Sequence, residues 1–230
     1  MMEIEANERL LSTMSLLAHD LREPLRKVST FTQLLAEDYG DSLDEEGKQF
    51  VALAVDGANR AQAMITDLRV FAEIGTKPCC PKTIDYAVFV EELQHHLSAQ
   101  LVNCDGRLTI EGSLESVHVD ESNLFMVLDE LVSNSIKFRS EYRPQIRIRI
   151  EADGTCLRFT VSDNGIGIPE EHREAIFDPM RRLNARSEYP GSGMGLPIAQ
   201  RRTEHMGGTL EVAPAGEEGT TVIVRLPNSR

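Results

Sequence analysis

The side chains able to do chemistry in this chain are concentrated in four short stretches. The first places an imidazole beside a carboxylate, within Leu17-Ala18-His19-Asp20-Leu21-Arg22-Glu23-Pro24-Leu25. One imidazole nitrogen can act as a nucleophile while a neighbouring carboxylate holds the other and accepts its proton. Arg22 and Arg26 lie close enough to pair with incoming phosphate charge. Pro24 removes a backbone donor five residues after the histidine and predicts a loosened or bent helix there. Taken alone, a surface His beside an Asp is ordinary solvated surface.

The other three stretches suit a phosphorylated, aromatic ligand. Glu130, Asn134 and Lys137 fall at steps of four and three, hence on one face of a predicted helix. The Glu130 carboxylate and the Asn134 amide oxygen suit a hard, partly hydrated Mg2+ that bridges phosphates. Lys137, with Arg139 just beyond, can neutralise phosphate charge. Asp163-Asn164-Gly165-Ile166-Gly167-Ile168-Pro169 follows a predicted strand, where Gly165 and Gly167 let backbone approach a flat ligand. The Asp163 carboxylate can accept from an exocyclic amine such as that of adenine. Gly191-Ser192-Gly193-Met194-Gly195-Leu196 then leads into a helix, whose free amides form an anion site fit for a triphosphate. Separately, a polar helix stripe and glycine punctuation account for these three stretches equally well.

Two kinds of element must position these groups. Leu10, Met14, Leu17, Leu21, Pro24, Val28, Phe31 and Leu35 follow alternating steps of four and three. Phe50, Ala54, Gly57, Ala61, Met64, Leu68 and Phe71 do the same. Such seams predict an antiparallel helical hairpin over roughly 6–74, packed in coiled-coil fashion. Between the seams, Gly40 suits a left-handed C-cap, and Ser42 with Glu45 reads as a capping box. Two helices have little core between them, so a second copy completing a four-helix bundle is the physical expectation, with Ala54, Gly57 and Ala61 allowing close approach. A hairpin docked on its own C-terminal domain is the alternative. His19 falls about 200° around the helix from Leu17, and so faces solvent.

Gly75 to Pro81 reads as a linker. Beyond it, helices are predicted over 89–101, 120–138 (opened by Asp120) and 194–206. Strands are predicted at 107–110, 145–150, 156–161, 209–212 and 220–226, with a hairpin turn at Asp153-Gly154. Grouped strands and helices without a βαβ repeat imply an α/β sandwich, not a doubly wound sheet. The fold class is therefore α+β: residues 1–75 a dimerising helical hairpin, 76–82 a linker and 83–230 an α/β-sandwich domain.

A formal net charge of −13 over 230 residues argues against a nucleic-acid or anionic-membrane surface. No apolar run reaches the roughly 18 residues a membrane-spanning helix needs, and the first residues lack the pattern of a signal peptide, so a cytoplasmic protein is expected. The four cysteines fit no zinc spacing. Adjacent Cys79 and Cys80 read as reduced thiols in the linker, with a redox role as the alternative.

The four stretches, in this order, resemble the sensor histidine kinases of two-component signalling. Leu17 to Leu25 looks like the H box, Asn134-Ser135-Ile136-Lys137-Phe138 the N box, Asp163 to Gly167 the G1 box, and Gly191 to Gly195 the G2 box. Phe177 in Ile176-Phe177-Asp178-Pro179 matches the F box. The wording is most like kinase modules attached to phytochrome-type and PAS/GAF sensors. The resemblance implies a dimerisation and histidine-phosphotransfer domain followed by a Bergerat-type (GHKL) ATPase domain using ATP and Mg2+. It implies His19 as phosphoacceptor with Asp20 assisting, and Glu130 as a further catalytic residue. Asn134 and Glu130 would hold Mg2+, and Asp163 would select adenine. Lys137, Arg139, Gly165, Gly167, Phe177, Gly191, Gly193, Gly195 and Leu196 would complete the ATP site, with residues 178–192 as its lid. Implied partners are a second copy, a response-regulator receiver domain, and an upstream sensor domain or partner protein. The chain would then be an excised core or a kinase receiving its input from a partner.

Glu23 departs from the family, which often carries Thr or Asn four residues after the histidine to position water for regulator dephosphorylation; weak phosphatase activity is expected. Met180 and Arg181 replace a more usual aromatic-basic pair. Two other readings are an ATP-inactive dimeric adaptor or phosphotransfer protein of the same fold, and an ATP-gated GHKL machine. The intact Asn134, Asp163 and G2 glycines oppose the former, and outward-facing His19 the latter.

Overall fold

A computed structural model describes residues 2–183, 189, 191–214 and 219–228. The chain forms two compact units, Met1–Glu73 and Ile74–Arg230.

The first unit is a hairpin of α1 (Met2–Tyr39) and α2 (Glu45–Glu73), joined by a 3-10 turn at Gly40–Ser42. Helix α1 continues through Pro24. Two expectations at the turn are corrected. Gly40 is not left-handed; it opens the 3-10 turn, which stays close to helical geometry. The start of α2 is capped by Asp44, whose carboxylate accepts the Gly47 amide at 2.8 Å. Glu45 is itself the first helical residue, so the reciprocal spacing a capping box needs is not available to Ser42.

The packing line inside the hairpin is also displaced from the expected seam. On α1, Ala18 (1% exposed) and Ser29 (5%) are buried, eleven residues apart and therefore on one face. Ser29 Oγ donates to Asn59 Oδ1 at 2.9 Å, so this face looks at α2, where Ala58 is buried. The line runs one residue later than the predicted seam. Leu17, Leu21, Val28, Phe31 (70% exposed) and Leu35 are consequently left at the surface of the single chain. The fully buried positions carry small side chains, and larger ones such as Met14, Leu25, Val55 and Ile65 are half-buried beside them.

The second unit is a two-layer α/β sandwich. Strands β2 (Arg107–Glu111), β4 (Gln145–Asp153), β5 (Cys156–Asp163), β6 (Thr209–Val212) and β7 (Thr221–Pro227) form one sheet in the order β2-β4-β5-β7-β6. Among the described residues, β2 and β4 pair parallel and the other neighbours in this sheet pair antiparallel. Strict alternation puts Ile146, Ile148 and Ile150, then Leu157, Phe159 and Val161, then Val222, Val224 and Leu226 on the buried face. Helices α3 (Tyr86–Leu101), α4 (Glu121–Lys137) and α5 (Gly195–His205) share that core through Phe89, Leu93 and Leu97, Leu124, Leu128 and Leu131, and Ala199. Phe89 joins the layers, its ring centroid 6.2 Å from that of Phe159. The outer face carries Arg147 and Arg149, both paired with Glu111.

Aspartates open two of these helices, as their short carboxylates reach free first-turn amides. Asp85 accepts from Ala87 and Val88, and Asp120 from Asn123 at 3.1 Å. The second Asp120 oxygen takes the Cys80 amide at 2.9 Å, which ties the Pro78–Pro81 stretch to the start of α4. A short ladder not anticipated from sequence, β1 (Lys82–Asp85) against β3 (Ser116–Val119), lies beside it.

Candidate functional site

The groups expected to meet a nucleotide converge where the C-terminal half of α4, the end of β5 and the start of α5 come together. Asp163 closes β5, and its carboxylate is fixed by three donors. Oδ1 accepts the Gly165 amide at 2.9 Å and the Thr220 amide at 3.0 Å, while Ser135 Oγ lies 2.8 Å from Oδ2. Gly165 has no room for a side chain, since a Cβ there would come within 2.5 Å of the Phe138 carbonyl oxygen. Gly219 is equally constrained: its φ is +74°, and a Cβ would collide with the Asp163 carbonyl.

Glu130 and Asn134 point from α4 toward the first residue of α5. A Cβ on Gly195 would lie 2.7 Å from Glu130 Oε2 and 3.5 Å from Asn134 Nδ2. Asn134 Nδ2 is buried without a hydrogen-bond partner. A buried, unsatisfied amide is costly, and turning it over exchanges donor for acceptor at the same place. Among the described residues no group of three His, Cys, Asp or Glu side chains could hold a metal. A cation here would take Asn134 and Glu130 as its protein ligands, leaving its other positions to water and phosphate, as Mg2+ prefers. The residues fit that ion.

Lys137 extends along the same face toward the glycine loop, its Nζ 2.5 Å from where a Cβ on Gly191 would be. Burial, and then the Arg182 guanidinium, push its ammonium below the ordinary lysine range, while Glu130 pulls the other way. Two cations brought together in a partly buried place favour an anion between them. Arg182 donates to the carbonyls of Gly191 and Tyr189. The Tyr189 ring packs on Phe138 at 5.0 Å. Residues 184–188 and 190, inside the expected lid, fall outside the described residues.

Not every expected residue points at this centre. Arg139 donates to the Ile136 carbonyl at 3.2 Å, so it serves the end of α4. Phe177 and Leu196 pack against the hydrophobic core and support the site from below. Gly167 and Gly193 have φ of +75° and +80°, which shape the two glycine loops. Ser135, Gly219 and Thr220 are site residues that the sequence does not single out. Ser135 lay inside the N box and was passed over beside Asn134. The Gly219-Thr220 pair immediately before β7 is the available signal, because β7 pairs with β5 and so brings the Thr220 amide to the Asp163 carboxylate.

On the hairpin, His19 is exposed: its side chain is 79% accessible and that of Asp20 66%. His19 Nδ1 lies 3.2 Å from Asp20 Oδ1. With the Asp20 carboxylate as acceptor, Nδ1 is the donor in this contact and Nε2 is the ring nitrogen left for attack. Glu23, one turn on, is paired with Lys27 at 2.7 Å.

The chain belongs to the sensor histidine kinases and is their catalytic core. Residues 9–77 match the His Kinase A (phospho-acceptor) domain, and residues 119–230 match the histidine kinase-, DNA gyrase B- and HSP90-like ATPase domain. Among curated proteins it is similar to the phytochrome-like protein Cph1 of Synechocystis sp., 33% identical over 210 residues. Cyanobacterial phytochrome A of Nostoc sp. is 32% identical over the same length. Each alignment takes in 91% of this chain, which spans only 28% and 27% of those relatives. Among solved structures, full-length ShkA in complex with AMPPNP shares the fold at a TM-score of 0.69 and 21% identity, covering 95% of this chain and 46% of that one. The histidine kinase ThkA in complex with the response regulator protein TrrA does so at 0.66 and 19%, covering 99% and 65%. Among the described residues no helix is long and apolar enough to cross a membrane.

Proposed function

We propose that this core, in the cytoplasm and as a homodimer, phosphorylates His19 from ATP and passes the phosphoryl group to an aspartate of a response regulator. The observation that carries the reading is the setting of His19: solvent-exposed, with Nδ1 3.2 Å from the Asp20 carboxylate. Nε2 attacks the γ-phosphorus, the P–O bond to the departing ADP breaks, and Asp20 stabilises the positive charge that develops on the ring. Asp163 accepts from the 6-amino group of adenine. The amides of the Gly191–Gly195 loop and the Lys137 ammonium face the phosphates. Asn134 and Glu130 would hold Mg2+, which would supply neutralisation of phosphate charge. Glu130, so close to Gly195, fixes the approach of the phosphate chain to the start of α5.

Support for the regulator as acceptor comes from the ThkA complex, whose partner is a response regulator; the curated relatives are longer proteins, which supports an upstream sensor as the source of input. The test is incubation with Mg-ATP labelled at the γ-phosphate. Label stable to base, labile to acid and lost in His19→Gln is expected. Label that persists in His19→Gln would move the acceptor elsewhere, and no label from a protein that binds ATP would favour an inactive adaptor of the same fold.

A further inference from the structure

We infer that Ser135 is a positioning residue for adenine recognition, acting through Asp163; the inference rests on the nucleotide site proposed above. Ser135 is only 6% exposed and sits on α4 between Asn134 and Ile136. Its Oγ lies 3.0 Å from the Leu131 carbonyl oxygen and 2.8 Å from Asp163 Oδ2. A hydroxyl carries one proton, so it serves one of these acceptors at a time. The carbonyl of Leu131 lies four residues earlier in the same helix, and a serine facing only that carbonyl needs no second partner. Here it has one, 28 residues away in sequence, on the carboxylate at the centre of the site.

The arrangement divides the two carboxylate oxygens. Oδ1 accepts two backbone amides, from Gly165 and Thr220, which uses both of its lone pairs. Oδ2 has Ser135 alone among the described contacts, so one lone-pair direction remains for an incoming donor. A hydrogen bond to an ionised acceptor is stronger than one between neutral groups and fixes its rotation. With Ser135 in place, Oδ2 is held at one angle about the Asp163 side-chain axis. The 6-amino group of adenine then meets an oriented acceptor. Without it, Oδ2 is anchored only through its partner oxygen. Glycine and amide contacts hold the carboxylate near the backbone; Ser135 aims its free edge.

The experiment compares ATP with purine riboside 5′-triphosphate, which lacks the 6-amino group, by titration calorimetry on the whole chain. The unaltered protein is expected to bind ATP more tightly than the purine analogue. Ser135→Ala should weaken ATP by about tenfold, the scale of one charge-assisted hydrogen bond, and leave the analogue unchanged. Alanine is a good helix former and smaller than serine, so the fold should survive, which a melting curve checks. In an Asp163→Asn background the preference for the 6-amino group should already be lost, with Ser135→Ala adding nothing. Equal weakening of both nucleotides by Ser135→Ala would mark a purely structural serine and overturn the inference. So would a 6-amino preference that survives the substitution, although the nucleotide site would then stand. Failure of the unaltered protein to bind either nucleotide would remove the site and the inference together.

Discussion

Glu130 and Gly195 are neighbours across the junction of α4 and α5, with Oε2 of the former 2.7 Å from where a Cβ on the latter would stand. That space exists only because the residue opening α5 has no side chain. A methyl group there would push the carboxylate aside, and the free end of a glutamate can move without disturbing the backbone. Gly195→Ala is therefore expected to fold normally, since Gly195 does not need a left-handed backbone and alanine favours helix. His19 phosphorylation should fall by about tenfold or more if Glu130 has the role proposed for it, because a displaced carboxylate no longer sits where that role requires. Initial rates of labelling alongside thermal melting would check both halves.

Asp120 links the chain entering the ATPase unit to the helix that carries Asn134. Burial alone would raise its carboxyl, but the amides of Cys80 and Asn123, with the Asn123 side chain and the Cys79 thiol, outweigh that and hold it below the usual carboxylate value. A carboxyl with a lowered folded pKa contributes stability above its unfolded value, near 3.9, and loses it as pH falls through the folded one. Asp120→Ala should cost about 1 kcal/mol at neutral pH through the lost cap. The gap between variant and parent should close as pH drops from about 5 toward 2. Denaturant midpoints measured across that range would show it. A gap of constant size would mean the carboxylate charge is not what holds Cys80 to α4.

Much of this architecture is legible in the sequence, for a local reason. Strands β4 and β5 announce themselves by alternation, and Asp120 by its place before an amphipathic run. The elements missed are those made by partners distant in sequence. Strands β1 and β3 are four residues each and exist because they pair with one another over more than thirty residues. Ser135 and Thr220 matter through Asp163, 28 and 57 residues away. The α1 seam was visible as a period, but a period does not say which partner it faces. A shift of one residue, about 100° around the helix, separates the line meeting α2 from the line left exposed.

Glu23 occupies the place, one turn after His19, where many relatives carry a side chain that positions water. Its carboxylate is paired with Lys27 at 2.7 Å. A carboxylate has no proton to donate, and it repels both a phosphoaspartate and the hydroxide-like oxygen of an attacking water. Dephosphorylation of a cognate phosphorylated regulator by this core should be slow. Glu23→Asn, which supplies an amide donor and removes the charge, should raise the rate while leaving His19 labelling within about twofold. A phosphatase assay with purified regulator measures it, and rapid turnover by the unaltered protein would sink the argument.

The large apolar side chains left on the hairpin make the last case. Of the exposed large hydrophobic residues in the structure, Leu16, Leu17, Leu21, Val28, Phe31, Leu34, Leu35, Tyr39, Phe50 and Leu53 all belong to the first unit. Isolated exposed leucines are unremarkable, but a run along two adjoining helices is a surface awaiting cover. The intrachain contact is centred on buried Ala18, Ser29 and Ala58, so moving that run inward within one chain would undo it. A second copy offers the same surface by symmetry, and four helices enclose what two cannot. Light scattering should give twice the 25.6 kDa chain mass. Phe31→Glu places a charge in the middle of the apolar line, distant from His19 by more than three turns of helix, and should shift the mass toward one chain at micromolar concentration. His19 exposure does not depend on Phe31, so labelling of Phe31→Glu followed beside its mass across concentration asks whether the reaction needs a paired hairpin. Loss of label in step with the loss of mass would tie catalysis to the dimer; a fully labelled monomer would leave the seam with no role in the reaction.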